Sequence, residues 1–169
     1  MSSEGAVEVA GLRIYPVKSM KGIPLQQAKV TPEGLLHDRC FMVIRASGRF
    51  VTQRDMPRMS LIHVNLEDSG ISLSMQGAGQ VSVPAGRVDG RHFTTKVWSD
   101  RCETIDQGKE ISRWLSDALE STETLHLVTM APAYQRPQGK ADVLGADTHT
   151  LFADAAPFLV ASEESLAAL

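Results

Sequence analysis

The chain has 169 residues, 43% of them hydrophobic and 22% charged, a balance typical of a folded globular protein rather than a disordered or fibrous one. That length suits one domain, or one domain with a fragment of another. The net charge of −3 argues against a general nucleic-acid or membrane-surface binder, because those classes usually carry a broad basic face. Any basic site must therefore be local.

Short runs of β-branched and aromatic residues dominate the chain up to Asp106. The first run, residues 7–17, contains a proline at its end, and further strand candidates are residues 80–85, 92–99 and 102–106. Two hairpins are indicated by turn residues between apolar runs, around Gly48 and around Gly70. Six or more short strands with closely spaced turns predict a mainly β fold, either an antiparallel barrel or a sandwich.

One amphipathic helix is predicted in residues 106–120. Asp106 can cap its start. The helix would pack on the barrel through apolar residues at helical spacing, namely Ile111, Trp114, Leu115, Ala118 and Leu119. A further strand candidate follows at residues 125–130.

The last part of the chain indicates a linker and the start of another unit. Residues 131–149 are rich in proline, glycine and polar side chains. Residues 157–160 then suggest a strand, and Ser162 suits the cap of a helix with Glu163 and Glu164 in its first turn. We therefore expect a β-barrel domain over residues 1–130, a linker over 131–149, and an incomplete second β-rich domain over 150–169, outside the barrel core.

A small basic loop stands out in this acidic chain. Residues 15–22 read YPVKSMKG, with Lys18 and Lys21 flanking a serine after a proline. Such a loop can hold an anion through charge and hydroxyl donors. From spacing alone the pattern favours a solvated turn, with Arg39 paired to Asp38 or Asp55.

Cys40 and Cys102 are too few for a disulfide framework, and neither has the spacing of a metal site. We expect both to be small core residues rather than nucleophiles or metal ligands. No apolar run approaches the roughly 18 residues of a membrane span, and the N-terminus lacks the basic region of a signal peptide. The sequence thus predicts a cytoplasmic protein without a membrane partner and without a metal cluster of its own.

Four stretches, in order, carry a resemblance to a known family: residues 12–44, 51–64, 97–119 and 152–169. Together they resemble the N-terminal β-barrel domain of MOSC (molybdenum cofactor sulfurase C-terminal) proteins and the first segment of the MOSC domain that follows it. The family includes the amidoxime-reducing component and its bacterial relatives. The resemblance implies a molybdopterin-type molybdenum cofactor, reduction of N-hydroxylated compounds, and an electron-transfer protein or reductase domain as partner.

The resemblance also implies site residues. Lys18, Ser19 and Arg39 match positions that contact the anionic part of the cofactor, and Arg54 and Asp154 are expected to line the same cleft. The metal-ligating cysteine of the family would lie beyond Leu169, so no metal ligand and no catalytic residue is assigned here. We expect the full-length protein to be a molybdenum-dependent oxidoreductase and the 169-residue chain alone to be inactive.

Two other functions stay open. One is sulfur transfer to the cofactor or to another acceptor, which the name of the family suggests. The other is a non-enzymatic β-barrel module that binds an anionic ligand.

Overall fold

The computed structural model describes residues 7–139, 141–145 and 148–168. The strands are β1 (Leu12–Ile14), β2 (Ile23–Leu25), β3 (Val30–Thr31), β4 (Gly34–Leu35), β5 (Met42–Arg45), β6 (His63–Glu67), β7 (Gly70–Met75), β8 (Gly79–Pro84), β9 (His92–Val97), β10 (Asp100–Asp106), β11 (Leu125–Met130), β12 (Arg136–Pro137) and β13 (His149–Thr150). The helices are α1 (Lys109–Ala118), α2 (Ala141–Leu144) and α3 (Glu163–Ala167), and a short 3-10 helix spans Pro57–Leu61.

Two antiparallel sheets build most of the curled, half-barrel architecture. One has the strand order β5-β11-β10-β9, and the other is the meander β6-β7-β8. The pairs β1-β2, β3-β4 and β12-β13 are short two-stranded ladders. All of these pairings are antiparallel, so the prediction of a mainly β, antiparallel barrel with one packed helix is confirmed.

Both predicted hairpins form. β6 turns into β7 just before Gly70. After β5 the chain reverses at Gly48, whose N–H donates to the Arg45 carbonyl, and Phe50 then bridges back to Ile44. Because alternate residues of these strands point inward, each hairpin delivers apolar side chains to the barrel interior.

Helix α1 covers the barrel as its apolar stripe predicts. Ile111 and Leu115 are buried in the same cluster as Val17 and Met20, which come from the basic loop. The cap prediction was wrong: Gly108 is the N-cap, and Asp106 still belongs to β10. One Asp106 oxygen accepts the Gly108 N–H at 3.1 Å and the other lies 3.1 Å from His126 Nδ1.

The segment after residue 149 departs from expectation in its packing. Phe152 is fully buried in a second cluster with Met42, Ile44 and Phe93, so the prediction that residues 150–169 lie outside the core was wrong at this side chain. Residues 157–160 form no strand, whereas the helix that follows is confirmed, with the Ser162 hydroxyl accepting the Ser165 N–H. The domain boundaries near residues 130 and 150 stay a prediction.

One short ladder lies at the predicted linker, where β12 pairs with β13 through Arg136 and Thr150. Among the described residues, no helix is long and apolar enough to cross a membrane.

Candidate functional site

The basic loop is held in place by backbone bonds to the segment before β5. The N–H of Lys18 donates to the Phe41 carbonyl, and the N–H of Phe41 donates to the Pro16 carbonyl. Val17 and Met20 anchor the loop because their side chains are buried in the core. Lys18 lies between these anchors, which draws its own side chain inward until only 7% of the residue is exposed.

The segment around Arg39 lies beside this loop. The Asp38 carboxylate accepts the Tyr15 N–H at 2.7 Å, and the Arg39 N–H donates to the Tyr15 carbonyl at 2.8 Å. The Arg39 guanidinium pairs with Asp38 and lies over the Tyr15 ring, 5.2 Å from its centroid. Both Ser19 and Arg39 adopt the left-handed backbone conformation, with φ of 66° and 48°. Non-glycine residues rarely do so, and such residues concentrate at functional sites.

A third segment, from the far end of the chain, completes the cluster. Lys18 Nζ donates to Asp154 Oδ1 at 2.5 Å and to the Phe152 carbonyl at 3.0 Å. The Phe152 N–H in turn donates to the Arg39 carbonyl at 3.1 Å. The structure therefore brings Lys18, Arg39 and Asp154 together, although they are distant in sequence.

Two residues that position Asp154 were missed by sequence reasoning. Trp98 donates its indole N–H to Asp154 Oδ1 at 3.0 Å. Arg136 is 3% exposed, and its Nη1 donates to the Leu151 and Ala153 carbonyls at 2.9 and 2.7 Å. No local pattern marks Arg136, because it lies in a polar stretch that predicts a linker; Trp98 could have been noticed as a large aromatic residue at a hairpin tip.

The charges of the cluster influence one another. Burial lowers the pKa of the Lys18 ammonium, and the hydrogen bond and charge of Asp154 offset only part of that shift. Desolvation alone would raise the pKa of Asp154, but the hydrogen bond and charge of Lys18 outweigh it, with help from Trp98 and Arg39, so this pKa is lowered. The charges of Arg39 and Arg136 lower the pKa of Lys18 further, because like charges disfavour its protonated form.

The other predicted site residues lie at the margin. Ser19 is half-buried, and its hydroxyl makes no hydrogen bond within the described part of the chain. Gln53 donates its side-chain N–H to the Ser19 carbonyl at 3.0 Å. This hydrogen bond joins the loop that contains Gln53 and Arg54 to the basic loop. Arg54 lies in an adjoining open groove with Phe50 and Trp98 rather than among the hydrogen bonds that join Lys18, Arg39 and Asp154.

The donor set suits an anion but not a metal ion. Lys18 already has Asp154 as a counter-ion, whereas Arg39 is bonded to Asp38 through one of its nitrogens, Nη1. An arginine fork has five N–H groups, so Arg39 and the Ser19 hydroxyl retain donors for a phosphate or pterin oxygen. Within the described ranges, no three His, Cys, Asp or Glu side chains are grouped as metal ligands would be.

Comparison with known sequences gives the family. Residues 6–122 match the MOSC N-terminal beta barrel domain, which is more than half of the chain. The chain belongs to the MOSC family.

Relatives of this MOSC chain include amidoxime-reducing components and a molybdenum cofactor sulfurase. It is 34% identical over 168 residues to human mitochondrial amidoxime-reducing component 1, covering 95% of this chain and 50% of that protein. It is 32% identical over 134 residues to the Danio rerio molybdenum cofactor sulfurase, covering 76% of this chain and 16% of that protein. The chain thus spans about half the length of the amidoxime-reducing components it matches.

A solution structure of a Bordetella bronchiseptica protein is also similar, with a TM-score of 0.48 at 15% identity, over 64% of this chain and 91% of that chain.

Proposed function

We propose that this chain forms the part of a molybdenum-cofactor pocket that holds the anionic pterin end of the cofactor. We further propose that the protein, at the length of its relatives, is an oxidoreductase that reduces N-hydroxylated compounds. The observation that carries the proposal is the meeting of three distant segments at Lys18, Arg39 and Asp154. The MOSC membership and the relatives that are named amidoxime-reducing components support it.

Each residue has a distinct role in this proposal. Arg39 supplies a planar fork for two oxygens of the anion, and Ser19 supplies a hydroxyl donor. Lys18 supplies a buried positive charge, and Asp154 holds the Lys18 ammonium in position. Arg136 fixes the backbone before Asp154 by donating to the Ala153 carbonyl. Arg54 extends the donor set at the rim of the adjoining groove.

When bound, the molybdenum cofactor would supply the redox centre for the two-electron reduction. Reduction consumes electrons, so the proposal includes an electron-transfer protein or reductase domain as partner. We also propose a cytoplasmic location, on the ground that Cys40 and Cys102 are free thiols, as is usual in a reducing compartment.

Sulfur transfer is the second candidate function, and the match to a molybdenum cofactor sulfurase favours it. The same anion pocket would serve both reactions, since each must hold the cofactor. Amidoxime reduction by the protein at the length of its relatives supports the first candidate, and sulfur donation without such reduction supports the second.

The pocket itself can be tested with this chain. Pterin fluorescence after gel filtration measures the retention of molybdopterin-type cofactor by the wild-type chain and by Lys18→Ala and Arg39→Lys. Arg39→Lys keeps the charge but loses the fork, so we expect retention to fall about tenfold. Lys21→Ala is the matched control, because Lys21 lies in the same loop but is exposed beside His63. Equal retention by all four proteins would refute the proposal.

A further inference from the structure

A row of three cations crosses the outer face of the main sheet, next to the cluster described above. Lys96 lies directly opposite Arg101 in the register of β9 and β10. The backbone of Lys96 also forms a bridge with Arg49 on its other side. All three residues are exposed. Like charges at directly opposed positions of a sheet repel and destabilise the pairing. A bound anion would reduce this repulsion.

Carboxylates offset little of this charge. Asp55 lies 3.3 Å from Arg49, and Glu103 accepts a hydrogen bond from Thr94, two pairs further along the ladder. Neither Lys96 nor Arg101 has an ion pair within the part of the chain that the structure describes. On a chain of net charge −3 the row is therefore a concentrated positive surface.

An exposed aromatic side chain borders the row. Trp98, at the tip of the β9-β10 hairpin, has a φ of 55° and is 50% exposed. Glycine, asparagine or aspartate would occupy that backbone conformation at lower cost. The indole is nevertheless fixed, through its N–H on Asp154 and an edge contact with Phe50 at 5.6 Å between centroids. A bulky ring is thus held in a strained position where much of its surface meets solvent.

These groups line one groove of about 870 Å³, a size that suits a small organic ligand. Trp98 follows Lys96 by two residues, just past the end of β9, and both side chains line this groove. We propose that this groove binds a nucleoside phosphate, with the phosphate on the Arg49-Lys96-Arg101 row and the base stacked on Trp98. The proposal concerns a different ligand from the proposed function and has cations of its own, Arg49, Lys96 and Arg101; the two sites adjoin at Trp98 and Arg54.

Each part of the groove suits one part of a nucleoside phosphate. A phosphate suits the row because arginine and lysine make charge-assisted hydrogen bonds to its oxygens. A planar base suits Trp98 because every nucleobase has a flat face that stacks on an aromatic side chain. Arg54, whose side chain makes no hydrogen bond or ion pair within the described residues, lies at the same groove and adds a further cation.

The test is a titration of the whole chain with AMP at low ionic strength, followed by tryptophan fluorescence and by calorimetry. AMP is compared with adenosine and with inorganic phosphate, and ADP-ribose serves as a nucleotide with an extension beyond its phosphate. Lys96→Gln and Trp98→Leu remove one half of the site each, and Trp98→Phe retains a ring. Lys29→Gln is the control, since Lys29 is exposed and outside the groove.

We expect AMP to bind more tightly than either adenosine or phosphate. Lys96→Gln should weaken AMP about tenfold, the loss of one charge-assisted contact, while Lys29→Gln leaves it unchanged. Trp98→Leu should reduce AMP affinity to that of phosphate, and Trp98→Phe should restore most of the difference. Tighter binding of ADP-ribose than AMP would identify the ligand as the nucleotide end of a larger molecule, and the reverse order would identify a free nucleotide; both support the proposal.

Three results would overturn it: no saturable AMP binding in the millimolar range, equal affinities for AMP and phosphate in the wild-type chain, or equal losses in the Lys96 and Lys29 variants. Far-ultraviolet circular dichroism of each variant shows whether it is folded. If Trp98→Leu does not fold, Trp98→Phe and Lys96→Gln still decide the question.

Discussion

Lys18 and Asp154, 136 residues apart, form an ion pair of 2.5 Å in which only the lysine is buried: its side chain is 9% exposed, against 70% for the aspartate. The two partners should therefore respond unequally to mutation. Removing Asp154 leaves a buried ammonium with only the Phe152 carbonyl, whereas removing Lys18 leaves a carboxylate that water can solvate.

We expect Asp154→Ala to lower the free energy of unfolding by about 1 to 2 kcal/mol, a value reduced from that of a fully buried pair because the carboxylate is exposed. Lys18→Met should change it by less than about 1 kcal/mol, since methionine fills the buried volume. Urea unfolding of both variants measures the difference. A larger loss in Lys18→Met than in Asp154→Ala would show that the lysine has little desolvation cost.

The same pair predicts a dependence of stability on pH. The pKa of Asp154 is lowered in the folded chain, so its ionised form stabilises the fold above its unfolded pKa of 3.8. That contribution should be complete above about pH 5 and should disappear as the pH falls through the lower, folded pKa. Comparing urea unfolding of the wild type and Asp154→Asn from neutral pH downward isolates this residue from other carboxylates, including Asp55, whose pKa is also lowered. A stability difference that stays constant below the unfolded pKa would contradict the prediction.

Sequence patterns predicted most of the fold because they are local. Turn residues at Gly48 and Gly70 and the period of the α1 stripe each act within a few residues. The burial of Phe152 could not be read in this way. Apart from Leu151, its neighbours in sequence are small or polar, and contact with Met42 and Ile44, more than a hundred residues earlier, makes its position part of the core.

The candidate site was predictable only in part, for the same reason. The YPVKS and Asp38-Arg39 segments indicated Lys18, Ser19 and Arg39 by resemblance to the family. The pairing of Lys18 with Asp154 and the buried position of Arg136 depend on long-range packing of residues 136–154, a stretch in which most residues predict a loop. The groove at Trp98 likewise arises from cross-strand neighbours, and register is a property of the folded sheet rather than of one segment.

Cys40 should be an unreactive thiol in the native chain. Burial, with the charges of Asp38 and Glu33, raises its pKa to about 11, so very little thiolate exists near neutral pH. Burial also raises the pKa of Cys102. We expect iodoacetamide to label both residues far more slowly in the folded chain than in urea, and the labelling rate of Cys40 to rise steadily as the pH is raised toward its pKa, within the range where the chain stays folded. Rapid labelling of Cys40 at neutral pH would instead indicate a functional thiolate, which the sequence and the structure both argue against.

Gly48 forms the turn beside the cationic row, and its replacement should cost more than that of a glycine with the same backbone conformation elsewhere. Gly48 and Gly77 have φ of 82° and 83°. Alanine in this left-handed conformation destabilises the folded chain by roughly 1 to 2 kcal/mol at either position. An added Cβ at Gly48 would lie 2.6 Å from the Thr94 carbonyl oxygen, whereas at Gly77 it would meet nothing within 4 Å. That oxygen belongs to the backbone of β9 and cannot move without disturbing the sheet.

The two substitutions share the conformational penalty. The difference between their decreases in the free energy of unfolding therefore isolates the steric cost at Gly48. We expect Gly77→Ala to lower the free energy of unfolding by about 1 kcal/mol. Gly48→Ala should lower it by at least about 2 kcal/mol more than Gly77→Ala does, which is in the range of severe strain at a special backbone position. Urea unfolding of the two variants measures both values. Equal losses would mean that the turn and β9 can separate at little cost, in which case the bridge between Arg49 and Lys96 would not hold the cationic row together.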